Sequence, residues 1–225
     1  TIEEIEKVID DVDKKWIPAL SADFQKAKKI EDEFIRTSGA EERAKEALGE
    51  RRYSEAAKLF WEANKPKKVI NAFEHKGTLA PEDYDLLKRA CLAIKDAQKA
   101  GNTLITQYQT TIVSLINNHE VEKLGHFLDG NLVWLYLRAG DKREAAWARL
   151  LKRIELPPFN KLTGNDKEWL FGFINQKLLL WEIAAIHYDK AKDFTSSSQC
   201  WARAGSKFKP QLEEAKRNLQ KKRQK

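Results

Sequence analysis

Apolar residues recur along this chain at the three- and four-residue spacing of amphipathic helices. Ile2, Ile5, Ile9, Val12 and Trp16 share one helical face, so a first helix is expected over 2–17, with Pro18 interrupting it. Ser21 then caps a second expected helix over 21–36, which carries Phe24, Ala27, Ile30 and Phe34 on one side. Gly39 separates that pattern from a helix over 41–50, and another follows over 53–64. Pro81 with Glu82 and Asp83 suits the first turn of a helix running to a C-terminal cap at Gly101. Further helices are expected over 103–117, 120–128 and 131–139, with Asp129-Gly130 between the last two. Asn165 and Glu168 have capping-box spacing and open a long helix to Asp189. No alternating run of strand type and no hairpin turn between two such runs occurs, so the fold class is all-α.

The most irregular stretch is Glu155 to Gly164, with Pro157 and Pro158. Apolar helices on both sides make it a loop within one stack in preference to a domain boundary. The expected organisation is one helical-repeat domain over 1–206 and a basic capping helix or tail over 207–225.

Three places repeat a pattern of small and bulky residues. Tyr53, Ala56, Phe60 and Ala63 form the first, and Leu132, Tyr136, Gly140, Ala145 and Pro157 the second. Trp181, Ala184, Ala185 and Tyr188, followed by Phe194, Ser197, Trp201 and Ala204, form the third. Small residues let two helices approach closely, and aromatic residues fill the gap to the next pair. These positions resemble the tetratricopeptide (TPR) pattern, the third copy best, with Arg149 in the second standing where an aromatic is usual. The copies are irregularly spaced: Phe60, Arg149 and Trp201 lie 89 and 52 residues apart, against about 34 in tandem TPR units. The chain is therefore similar to degenerate TPR-like α-solenoids, such as those of vesicle-coat and intraflagellar-transport subunits. That resemblance implies antiparallel helical hairpins stacked as a superhelix.

Charge sharpens the picture. The 225 residues carry a formal +7. Residues 203–225 hold nine basic residues against two acidic ones, which accounts for the whole surplus. Residues 1–50 hold 14 acidic and 9 basic residues, so the body is polarised and the tail is basic. Lys207, Lys209, Lys216, Arg217, Lys221, Lys222 and Arg223 form this arm. It reads either as a solvated capping helix or as a contact for RNA, anionic lipid or an acidic partner.

Cys91 and Cys200 lie in apolar helical patterns without metal-ligand spacing, which predicts buried thiols and a reducing, cytoplasmic setting. No stretch approaches the length of a membrane-spanning helix. The chain contains no Met and begins at Thr1, which points to a piece of a larger protein or to modified Met residues missing from the sequence.

Catalytic signatures are absent: no phosphate loop, no His-Glu-x-x-His and no Gly-x-Ser-x-Gly occurs. His119, Glu122 and His126 would share a face on a continuous helix, but Gly125 interrupts it and surface or hinge roles are favoured over a metal edge. No enzyme, cofactor or metal is expected. The seven Trp mostly read as fillers between hairpins. Trp61 is the exception, because Phe60 holds the packing position beside it and Lys65 and Lys68 follow. The apolar run over 169–188 reads as a helix buried on two sides, or as one leaving a groove for a partner helix. The expected function is a protein-interaction scaffold within a larger assembly, with Trp61, Lys65, Lys68, Arg138 and Arg149 as candidate contacts. The alternative is an RNA- or anionic-surface-binding helical repeat that uses the basic arm, similar in kind to TPR-like subunits of the signal recognition particle.

Overall fold

The computed structural model describes residues 17–224, so all but the last residue of the helix expected over 2–17 lies outside the described residues, as does Lys225. The described chain is helical throughout, without a strand. It falls into two compact units that divide at Leu79–Ala80, within the span expected to form one domain. The Glu155–Gly164 stretch lies inside the second unit, where Phe159 and Leu162 are buried.

The first unit contains α1 (Ile17–Gly49), α2 (Tyr53–Glu62) and α3 (Pro66–Lys76). Helix α1 runs unbroken through Gly39, contrary to the expected break. One glycine costs a helix interior only about 1 kcal/mol. Downstream, Ala40, Ala44 and Ala47 recur at helical spacing, are fully buried, and let α2 approach closely. Helix α3 was not visible in the periodicity. It starts at Pro66, where a missing N–H costs nothing, and buries Val69, Ile70, Ala72 and Phe73 against the unit.

The second unit contains α4 (Pro81–Ala93), α5 (Ala97–Gln107), α6 (Gln109–Asn117), α7 (Val121–Phe127), α8 (Trp134–Arg138), α9 (Arg143–Arg153), α10 (Gly164–Lys177), α11 (Trp181–Lys190), α12 (Phe194–Ala204) and α13 (Lys209–Arg223). Pro81 opens α4 as expected, and the Ala80 N–H donates to Asp83 Oδ2 at 3.1 Å. Several boundaries differ from the sequence expectation. The helix expected over 81–101 is two helices, and so is the one expected over 165–189. Conversely, Asp129-Gly130 does not separate helices: residues Leu128–Val133 form a π-helical segment that carries α7 into α8. Gly125 likewise lies inside α7, packed so closely that a Cβ there would meet Trp169 at 2.9 Å.

One device explains most of the unexpected breaks. Arg51, Asn64, Lys95, His119, Leu179 and Lys192 all take left-handed φ between 55° and 62°. In each case the next residue's N–H reaches back to close the preceding helix, as Leu180 to the Asn175 carbonyl at 3.0 Å and Asp96 to that of Cys91 at 2.9 Å. This is the helix-stop geometry usually given to glycine. Here Gly140 (φ 102°) is the glycine in the series, closed by the Asp141 N–H on the Tyr136 carbonyl. Asp96 and Asp193 then cap the following helices through Lys99 N and Ser196 N. Asn165 and Glu168 do not form the expected box: Thr163 precedes α10, and Glu168 Oε2 pairs with His187 Nδ1 at 2.7 Å.

Consecutive helices pack on one another from α10 to α13. Ala184, Ala185, Tyr188, Cys200, Trp201 and Ala215 form a buried cluster there, backed by Trp169, Trp181 and Phe208. Asp189 ties α11 to α12 by accepting Ser197 Oγ–H at 2.6 Å and the Trp201 indole N–H at 2.9 Å. Trp169 donates to Asp193 at 3.1 Å. The run over 169–188 is apolar on every side because it belongs to two helices with different buried faces, not to one helix buried on two sides. In the second motif the small residue is one position later than expected: Ala145 is exposed and Ala146 is buried.

Candidate functional site

In the first unit, Trp61 is partly buried on α2, while Lys65 and Lys68 begin α3. Both lysines converge on Glu41 of α1, Lys68 at 2.5 Å and Lys65 at 3.5 Å. The hydrogen bond from Lys68 holds the Glu41 carboxyl below its ordinary range, with Lys65 and Lys45 adding to the effect. Lys68 also lies 5.6 Å from the Phe60 ring centre. These lysines thus clamp α3 to α1. A cleft of about 430 Å³ beside them is lined by Ile30, Phe34, Glu41, Ala63 and Lys65 among others. Phe24, Ile30, Phe34 and Ile35 of α1 are 61–71% exposed, so this helix carries a set of large apolar side chains that the described residues leave open.

In the second unit, Arg138 and Arg149 line different clefts. Arg138 is exposed and stacks 5.1 Å from the exposed Trp134 ring, at a cleft that also includes Asp85, Lys88 and Tyr108. Arg149 grips Asp141 with two hydrogen bonds, Nε–Oδ2 at 2.7 Å and Nη2–Oδ1 at 3.2 Å, and lies 5.6 Å from the Tyr136 ring centre. The acidic partner that an arginine in a packing position calls for is therefore eight residues upstream, within the fold.

Arg149 shares its cleft with residues that the sequence pattern did not single out. The space is about 560 Å³ and is lined by Gln98, Asn102, Thr106, Tyr136, Lys152 and Arg153, with Leu156 and Pro157 at its apolar side. Gln98, Asn102 and Thr106 recur every fourth residue along α5, a polar stripe legible in hindsight. Burial pushes the Tyr136 phenol up to about 12, so it is protonated at neutral pH. Burial also lowers the Arg153 guanidinium from its ordinary value.

The basic arm is helix α13 together with Lys207 in the short turn Ser206–Phe208 before it. Ala215 is buried against the unit, and Phe208 packs on Trp201 with ring centres 5.2 Å apart. Lys207 lies over Phe208, Lys216 pairs with Glu213 at 3.0 Å, and Lys222 donates to the Lys192 carbonyl at 3.2 Å. Lys209, Arg217, Lys221 and Arg223 are exposed. A second apolar surface lies on α11 and the turn before it, where Leu179, Leu180, Ile183 and Ile186 are exposed.

The two histidines singled out in the sequence each have a partner within the fold. His119 sits in a left-handed turn and pairs with Asp166 at 2.6 Å, while His126 packs edge-on against Phe173. Among the described residues no group of three His, Cys, Asp or Glu is placed to hold a metal, and no helix is long and apolar enough to cross a membrane. Cys91 and Cys200 are buried and unlinked, as expected. No protein-family model matches the chain, no curated protein matches it, and no solved structure matches its fold.

Proposed function

We propose that this chain is a non-catalytic protein-interaction scaffold of TPR-like helical hairpins, working within a larger assembly. The observation that carries the reading is the apolar set of α1: Phe24, Ile30, Phe34 and Ile35 are all more than 60% exposed. Large apolar side chains clustered on an exposed helix mark surfaces that another protein covers. The small-and-aromatic motifs support the hairpin part, since Ala185, Tyr188 and Trp201 belong to one buried cluster and Ser197 of α12 hydrogen-bonds Asp189 of α11. Of the five contacts expected from sequence, Lys65, Lys68 and Arg149 already hold internal carboxylates. The apolar faces are the stronger candidates for recognition, with Trp61 and Arg138 subordinate.

The second reading, an RNA- or anionic-surface-binding arm, is favoured by one observation: Lys209, Arg217, Lys221 and Arg223 stay exposed on α13. Deleting the arm would uncover Trp201, so charge reversal is the cleaner test.

Proteins and RNA captured by the full chain are compared with those captured by two variants, F24S/I30S/F34S and R217E/K221E/R223E. Specific proteins lost with the first variant and retained by the second, after nuclease treatment, support the scaffold. Salt-sensitive RNA lost only with the second supports the arm. If the first variant captures the same proteins as the wild type, the scaffold reading through α1 is wrong.

A further inference from the structure

The cleft shared by α5, α8 and α9 holds an imbalance of charge that the fold does not resolve. Arg149, Lys152 and Arg153 all line it, and no carboxylate does. Arg149 is neutralised from outside the lining by Asp141. Lys152 is exposed and makes no ion pair among the described residues. Arg153 is partly buried against the Phe159 ring, 5.7 Å from its centre, and its Nε and Nη1 are buried without a hydrogen-bond partner. A buried guanidinium donor left unpaired is destabilising, and folds usually resolve it with a carboxylate. This one has stacking on Phe159, and its side chain also lines the open cleft, beside Lys152 and the polar residues of α5.

We propose that this cleft binds a phosphate monoester, with Arg153 and Lys152 meeting the phosphate and α5 meeting the body that carries it. The charge argument selects the class. Two cations are uncompensated once Arg149 is paired, which matches a dianion better than a monocarboxylate. A phosphate monoester, whose second proton leaves near pH 6, is mostly dianionic at pH 7.5. Guanidinium donors suit phosphate oxygens, and the protonated Tyr136 hydroxyl adds a donor to the same lining. The volume of about 560 Å³ greatly exceeds one phosphate and falls within the range of small-molecule sites. The exposed stripe of Gln98, Asn102 and Thr106 offers amides and a hydroxyl to a body rich in hydroxyl or amide groups, and Leu156 gives it an apolar edge. None of the residues that line this cleft belongs to the apolar sets of α1 and α11, and the proposal does not depend on the scaffold reading.

The test is calorimetric titration of the full chain at low salt and pH 7.5 with glycerol 3-phosphate, a phosphoserine peptide and acetate. One saturable site is expected for a phosphate monoester, with acetate at least roughly tenfold weaker. The source is the free ester if glycerol 3-phosphate binds as tightly as the peptide, and a phosphorylated side chain if the peptide binds more tightly. R153Q should weaken binding roughly tenfold or more, the loss of a charge-assisted contact. K152Q, at an exposed position that the fold does not need, should weaken it several-fold. R217Q/K221Q on α13 should leave it unchanged. Absence of a saturable site for either phosphate ligand overturns the proposal. So does acetate binding as tightly as phosphate, or binding that falls with the α13 variant and not with K152Q.

Discussion

Gly101 and Tyr136 give the sharpest test of how the second unit is packed. Gly101 lies inside α5, although its place in the sequence suggests a helix end. A Cβ there would sit 2.5 Å from Tyr136 Cε1, 2.8 Å from its hydroxyl oxygen and 3.0 Å from Cζ. Carbon atoms in good contact are about 3.5–4.0 Å apart, so G101A forces at least one of the two elements to move. Tyr136 is 2% exposed and has little room to retreat. Overpacking of this kind costs about 1–3 kcal/mol, and two ring carbons and the hydroxyl oxygen within 3.0 Å place it near the top of that range. Alanine returns about 1 kcal/mol through helix propensity. The net expectation is a loss of about 2 kcal/mol, or roughly 4–8 °C in Tm for a protein of this size. G39A is the opposite control, because nothing lies within 4 Å of a Cβ at that helical position; it should stabilise α1 by up to about 1 kcal/mol. Thermal and urea unfolding of G101A, Y136L and the double variant measure the coupling, and the second substitution should recover much of what the first loses. If G101A stabilises the protein as G39A does, Tyr136 does not cover α5 as described.

Other consequences can be checked by similar means. D189A leaves the Ser197 hydroxyl and the Trp201 indole N–H without their acceptor, and should cost about 2–4 kcal/mol with a change in tryptophan fluorescence; an unaltered urea midpoint would sink that account of the α11–α12 joint. L179G replaces an exposed leucine held at φ 61° and should raise Tm slightly, since relief of left-handed strain of about 1–2 kcal/mol outweighs the entropy that glycine adds to the unfolded chain; a fall in Tm contradicts it. Burial pushes the Cys200 thiol up to about 11, so a thiol reagent at pH 8 should leave it unmodified until urea unfolds the chain. Glu41 titrates below its ordinary range in the fold, so its ion pair with Lys68 stabilises the first unit above the unfolded carboxylate pKa and is lost as pH falls through the folded value. E41Q should therefore flatten the acid limb of that unit's stability profile, and an unchanged limb refutes the clamp.

The helices were legible where their buried faces alternate cleanly with charge, as in Tyr53–Glu62 with Ala56, Ala57 and Phe60 inside. The breaks were not. A reader of sequence looks for glycine or proline at a helix stop, and Lys95, Leu179 and Lys192 give neither signal while taking the conformation that glycine favours. Their strain is offset by the packing of the helices on either side, which is a long-range effect. Gly39, Gly101 and Gly125 mislead in the opposite sense, because each lies inside a helix, two of them where an aromatic ring leaves no room for a Cβ. Among site residues, Arg149 was visible as a cation in a packing position. Arg153 was not, since nothing in its neighbourhood of sequence reveals that the fold gives it no acceptor.

The sequence by itself determined that the described chain is all-helical, that Cys91 and Cys200 are buried, and that the surplus positive charge is gathered in residues 203–225. Those properties follow from periodicity and composition, which act over a few residues. Only the tertiary structure decided that Asp141 answers Arg149, that Glu41 answers Lys65 and Lys68, and that Arg153 is left without an answer. Such pairing depends on which helix faces meet and which groups water can still reach, and neither is written in local spacing.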